Sequence, residues 1–163
     1  MILEKLQEKF GSEILETSGS LEKSNLVVII RKDRTHEILK FLKEDASLSF
    51  EMLVDLCGVD YLKKSEKPRF EVVYHLYSLI RNHRLRLRVK IPEEDAKLKT
   101  ATDLWRSADW AERETREMFG IDFEGHANPK KLLLFEGFEG YPLRKDYPMA
   151  KRQKIPVPEE KVE

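Results

Sequence analysis

The chain has 163 residues, and its 30 Lys and Arg balance 30 Asp and Glu, for a net charge of zero. That length suits one domain with its own core, and the balance gives no long-range pull toward nucleic acid or an anionic membrane. A single cysteine, Cys57, excludes an internal disulfide, and also an iron–sulfur cluster held by this chain alone, which needs about four ligands.

Residues 2 to 10 read as a short helix with Leu3, Leu6 and Phe10 on one face. Its opening, MILEKLQEKF, lacks the long apolar core of a signal peptide. No run in the chain approaches the roughly 20 apolar residues of a membrane span. A soluble protein of a reducing compartment is expected, reaching any membrane only through partners. Gly11 and the Thr17–Ser20 region break the first helix. Leu26–Arg31, LVVIIR, is a continuous apolar run suited to a buried strand. Asp33 is placed to cap a second helix whose Ile38, Phe41 and Leu42 face inward. Residues 48 to 56 read as another strand, closed by a turn at Gly58, with Cys57 a buried inert thiol.

KKSEKP, from Lys63 to Pro68, reads as a polar loop. Phe70 to Ile80 is a long β run with Phe70, Val72, Tyr74 and Leu76 on one face, and His75 hydrogen-bonded in or near the core. Arg81, Asn82 and His83 make a hairpin turn. RLRLRVKI, Arg84 to Ile91, alternates throughout. Leu85, Leu87, Val89 and Ile91 point one way, and Arg84, Arg86, Arg88 and Lys90 the other. This basic ribbon is the best nucleic-acid candidate, since β-ribbons enter grooves. It lacks interleaved aromatics, and Glu51 and Glu71 on neighbouring strands can offset it. Pro92 ends the strand.

Asp109 then opens a charged helix, with Glu112 three residues on completing a capping box. The i,i+4 rule pairs Glu112 with Arg116 and Arg113 with Glu117. Ala111, Thr115 and Met118 form a narrow apolar stripe, and Gly120 ends the helix. Four of the seven Gly and five of the seven Pro lie beyond residue 119, so regular structure should be sparse from there. Such a segment orders by lying along its own domain or along another protein. The division expected is a body of residues 1–123 and an extended partner-binding segment and tail, 124–163, within one domain overall. The fold class expected is α+β: a small, mostly antiparallel sheet with helices on one face and a long irregular C-terminal segment leaving the body. No nucleophile–base pair, phosphate loop or metal-ligand spacing occurs; His36, His75, His83 and His126 never pair at ligand distance. Charged residues reach 37% while Asn and Gln are few, a balance resembling thermophile surfaces.

The strings ERE (Glu112 to Glu114), Glu117-Met118-Phe119-Gly120, FEGH ending at His126, KKLLL and YPLRKDYP resemble the signature of the 30-kilodalton subunit family of respiratory complex I, the NADH:quinone oxidoreductase. TATDLWRSADW (Thr100 to Trp110), GVDY (Gly58 to Tyr61) and FEVVYHLYS (Phe70 to Ser78) fit the same family, so the likeness runs from about residue 50 to 148. Many members have Asp where this chain has Glu117, Pro where it has Ala127, and Trp near Phe138. The resemblance implies a subunit without a redox centre: no cofactor in this chain, with FMN, iron–sulfur clusters and quinone on partner subunits. It implies peripheral attachment on the cytoplasmic side of the inner membrane, beside the 49-kilodalton protein and other peripheral-arm subunits. The partner interface it points to comprises Glu112, Arg113, Glu114, Glu117, Phe119, His126, Tyr141, Pro142, Arg144, Lys145 and Asp146, with no catalytic or metal residue. Related subunits occur in membrane-bound nickel–iron hydrogenases and in ferredoxin- or F420-linked dehydrogenases. A free-standing nucleic-acid or regulatory module built on the basic ribbon is the reading from another class.

Overall fold

The alternating residues of Phe70–Ser78 (β4) and His83–Ile91 (β5) form the antiparallel hairpin at the centre of the molecule. The structure, a computed structural model, describes residues 2–20, 26–62, 64 and 68–156. Most of the Lys63–Pro68 loop lies outside the described residues. The other elements are helix α1 (Ile2–Phe10), β1 (Ile14–Ser18), β2 (Leu26–Arg31), helix α2 (Thr35–Glu44), β3 (Met52–Asp60), β6 (Lys97–Lys99), helix α3 (Ala108–Phe119) and β7 (Asp122–Glu124).

Five strands form one sheet in the order β1-β2-β5-β4-β3. Three of its four pairings are antiparallel, and β2 runs parallel to β5. The fold is α+β, as expected. One face is apolar: Val72, Tyr74 and Leu76 of β4 and Leu85, Leu87 and Val89 of β5 are buried there. Ile2, Leu6 and Phe10 of α1, Ile38, Leu39 and Leu42 of α2, and Ala108 of α3 complete the same core. The helices thus cover a single face, because only that face has period-2 hydrophobicity to bury. Leu3 and Phe41, expected inside, pack at the margin of this core.

On the opposite face the basic ribbon is partly neutralised. Glu71, fully buried, receives Arg88 at 2.5 and 3.0 Å and Lys90 at 3.0 Å. Glu51 does not join it, accepting instead the amide of Leu79. His75 is half-buried on this face rather than in the core, and burial lowers its pKa.

Several local expectations fail for stated reasons. The third strand spans residues 52–60, so Gly58 lies mid-strand and makes no turn. The strand continues because Gly58 pairs with Val72 and admits the ring of Phe119 against its backbone; a Cβ there would sit 2.6 Å from that ring. β1 and the parallel pair β6–β7 were not foreseen, since three to five residues carry too little pattern. Helix α2 starts at Thr35 with Arg34 at its N-cap and no side-chain cap, so Asp33 does not serve. Beyond β7 no described residue belongs to a helix or strand. That segment does not leave the body, however; it folds back along α3.

Candidate functional site

Helix α3 begins one residue before Asp109, with Ser107 at the N-cap and no capping side chain. The expected capping box is therefore absent. Ser107 Oγ donates to Leu53 O at 3.0 Å and Trp105 Nε1 to Glu51 O at 3.1 Å. Both satisfy carbonyls at β3, the edge strand of the sheet, which would otherwise offer them to another chain.

The register of α3 turns Glu112 into the core, where it is fully buried. It accepts from Thr100 Oγ1 at 2.5 Å and from Ala101 N at 2.7 Å. Burial pushes its carboxyl pKa up, and those two donors oppose the rise. Glu112 thus holds the 100–101 turn rather than Arg116 or a partner. His126 Nε2 donates to Asp109 at about 3.0 Å, while its Nδ1 accepts the amide of Asn128 at 3.0 Å. The imidazole is nearly buried and fastens the start of the C-terminal segment to the first turn of α3.

Glu117 and Arg113 do not pair with each other either. Glu117 Oε1 takes the amide of Leu133 at 2.8 Å, and Oε2 those of Leu132 and Leu134 at 3.0 and 3.3 Å. One carboxylate thereby fills a nest of three successive amides. Arg113 donates to Lys130 O at 2.9 Å and Lys131 O at 3.0 Å. Arg116 holds Asp122 at 2.7 Å and reaches Pro129 O. The KKLLL stretch is thus bound to α3 through its backbone, with Lys130, Lys131 and Leu133 exposed and Leu132 and Leu134 half-buried.

At the other end of α3, Gly120 adopts φ 72°, the left-handed C-cap expected of it. A side chain there would strike Tyr141 and Arg144, so glycine also admits the returning chain. The last carbonyls of the helix are satisfied from that chain: Leu143 N donates to Met118 O at 3.1 Å and Arg144 Nε to Phe119 O at 2.6 Å. Arg144 also lies over the rings of Tyr141 and Phe70.

Asp60 anchors the far end. Its fully buried carboxylate accepts Arg69 Nε and Nη2 at 3.0 and 2.9 Å, Leu62 N at 2.9 Å and Lys145 N at 2.8 Å. Arg69 extends the network to Asp146 at 2.8 Å and Glu93 at 2.5 Å. Burial would raise the Asp60 pKa, but the Arg69 fork and the amides outweigh it and hold it at about 2.

Of the eleven interface candidates, Glu112 is fully buried and Glu117 nearly so, and the His126 side chain is nearly buried. Arg113, Phe119, Pro142 and Arg144 are half-buried. Glu114, Tyr141, Lys145 and Asp146 are exposed. Asp60, Arg69, Thr100 and Gly58 were missed as site residues; GVDY contained the signal for two of them. Leu133, Leu143 and Trp110, on α3 and the segment after it, are among the exposed large apolar side chains, at 62%, 51% and 67% exposure. Among the described residues no group of three or more His, Cys, Asp or Glu is arranged to hold a metal, and no helix is long and apolar enough to cross a membrane.

Two tethers, α3 to KKLLL and Asp60 to the 141–146 stretch, use charged side chains to fasten backbone. Residues 28–153 match the family described as respiratory-chain NADH dehydrogenase, 30 Kd subunit, and the chain belongs to that family. It is 41% identical over 145 residues to an NADH-quinone oxidoreductase subunit of Citrifermentans bemidjiense, covering 89% of this chain and 86% of that one. Among solved structures it resembles a trypsin-resistant fragment (1–134) of Nqo5, with a TM-score of 0.66 and 38% identity over 78% of this chain and 99% of that one. It also resembles a chain of the membrane-bound sulfane sulfur reductase, an archaeal respiratory membrane complex, with a TM-score of 0.75 and 26% identity over 91% and 85%.

Proposed function

We propose that this chain is a redox-inactive scaffold subunit in the peripheral arm of NADH:quinone oxidoreductase, docked against the 49-kilodalton protein. In that role it supports electron transfer from NADH through flavin and iron–sulfur clusters to quinone, coupled to proton translocation. FMN, clusters and quinone then sit on partners, and attachment to the cytoplasmic face of the inner membrane is through the complex. Tunnelling falls steeply with distance, so a subunit that fixes its neighbours in register affects turnover without touching an electron.

The observation that carries this reading is the tethered C-terminal segment. Its backbone polar groups are satisfied by α3 and Asp60, while Leu133, Tyr141 and Leu143 are presented to the outside. Apolar side chains held outward on a fastened backbone suit burial against another protein. Residues 124–156 then act as the partner-binding unit of one domain, and Glu114, Tyr141, Lys145 and Asp146 are its most accessible polar and aromatic groups.

A second reading comes from the family resemblance: the complex is a membrane-bound nickel–iron hydrogenase or a ferredoxin- or F420-linked dehydrogenase, with a donor other than NADH, and the likeness to a chain of an archaeal respiratory membrane complex is compatible with it. One experiment separates them. The chain is tagged, recovered from solubilised membranes, and its companions are identified and assayed for NADH oxidation. Companion flavoprotein subunits with NADH activity support the first reading, and a nickel–iron large subunit without it the second. A Leu133→Asp, Leu143→Asp variant should fold alone yet lose those companions. Its full incorporation into an active complex would refute the interface.

A further inference from the structure

Between α3 and the C-terminal segment lies a cleft of about 320 Å³, at the small end of ligand-sized cavities. Its charge is lopsided although the whole chain is neutral. The carboxylate on its wall, Glu117, has both oxygens committed to three backbone amides. The Arg113 guanidinium is bonded only to two neutral carbonyls, which orient it and leave three of its five N–H groups unused. Lys131 Nζ reaches only Phe138 O, at 2.5 Å. The Lys130 ammonium makes no hydrogen bond or ion pair among the described residues. Three cations with neutral partners or none therefore share one cavity with Arg116, which is paired to Asp122, and its apolar lining includes Phe138 and Tyr141.

We propose that this cleft receives an acidic segment of a neighbouring subunit. A carboxylate enters between Lys130, Lys131 and the free edge of Arg113, and its apolar flank lies on Phe138 and Tyr141. The proposal rests on the scaffold reading above and adds the chemistry of the partner. The geometry favours a carboxylate because guanidinium and ammonium groups converge with apolar rings beside them, which suits a side chain entering with its stem. A cationic cleft sets register and suppresses wrong partners, since a like charge brought there is repelled.

The test uses the complex recovered through a tag on the full chain. Acetylation of Lys130 and Lys131 is compared in the free chain and in the complex, followed by zero-length carbodiimide coupling and mass spectrometry. The expected results are loss of acetylation in the complex and a coupling from one of these lysines to an Asp or Glu of another subunit. Lys130→Glu with Lys131→Glu should weaken retention about tenfold, while Lys130→Arg with Lys131→Arg retains it. Circular dichroism and a thermal midpoint keep a folding defect apart from lost binding. Equal labelling in both states, with the complex still assembled, overturns the cleft and leaves the scaffold reading standing. Absence of any companion overturns the scaffold reading itself. Protection of both lysines by phosphatidylglycerol vesicles, with no coupling to another protein, assigns the cleft to lipid and overturns the proposal.

Discussion

Asp60→Asn should unfasten the C-terminal segment from the sheet. The native carboxylate is fully buried and accepts four hydrogen bonds, two from Arg69 and one each from Leu62 and Lys145. Its folded pKa of about 2, against an ordinary 3.8, corresponds to roughly 2 kcal/mol favouring the ionised form. Since the folded value is depressed, that stability is present above pH 3.8 and is lost as pH falls through about 2. Asparagine removes the charge at every pH and leaves Arg69, only 8% exposed, with the half-exposed Asp146 and Glu93. Those partners soften the loss, so the cost at neutral pH should fall at the lower end for a broken buried pair, about 3 kcal/mol. For a domain of this size that lowers the thermal midpoint by roughly 6–12 °C. Calorimetry or urea unfolding of the purified chain measures it, and trypsin should cut after Arg144 and Lys145 faster in the variant. At about pH 2 the gap between parent and variant should narrow, because the parent has lost the same charge. A variant within about 0.5 kcal/mol of the parent at neutral pH would show that Asp60 is not the anchor.

Gly58→Ala places a Cβ 2.6 Å from Phe119, so either β3 or the ring must shift, at about 1–3 kcal/mol in urea unfolding. Adding Phe119→Leu should recover part of that loss, and no recovery would place the cost elsewhere. Glu112→Gln tests the buried carboxylate. Burial raises the folded pKa above its ordinary 4.5, so ionisation costs the native state stability as pH rises through that range. Glutamine keeps an acceptor for Ala101 and offers its N–H to Thr100, but cannot ionise. Relative to the parent, the variant should therefore gain stability over the interval in which pH rises above the ordinary carboxyl value of 4.5. Parallel stability curves over that interval would contradict it.

Elements with strong periodicity were legible from residue order alone. The alternation of Arg84–Ile91 admits only a half-buried strand, the 2–10 stripe only an amphipathic helix, and Gly120 only a helix end. The strings around α3 were also enough to place the family. Where the charges go was settled only by packing. Local rules paired Glu112 with Arg116 and Arg113 with Glu117, yet Glu112, Arg113 and Glu117 found partners eleven to eighteen residues away and Arg116 found Asp122, six residues on, and Pro129 O. An exposed i,i+4 pair contributes only about 0.2–0.5 kcal/mol. A charged group that hydrogen-bonds to backbone contributes about 1.5–3 kcal/mol, most where the bond is buried as between Glu112 and Ala101. The Asp60–Lys145 bond spans 85 residues, and Gly58 reads as a turn until the Phe119 ring is seen against it. Short-range pattern carries no trace of such contacts, because the desolvated backbone they serve exists only once the segment has closed onto α3.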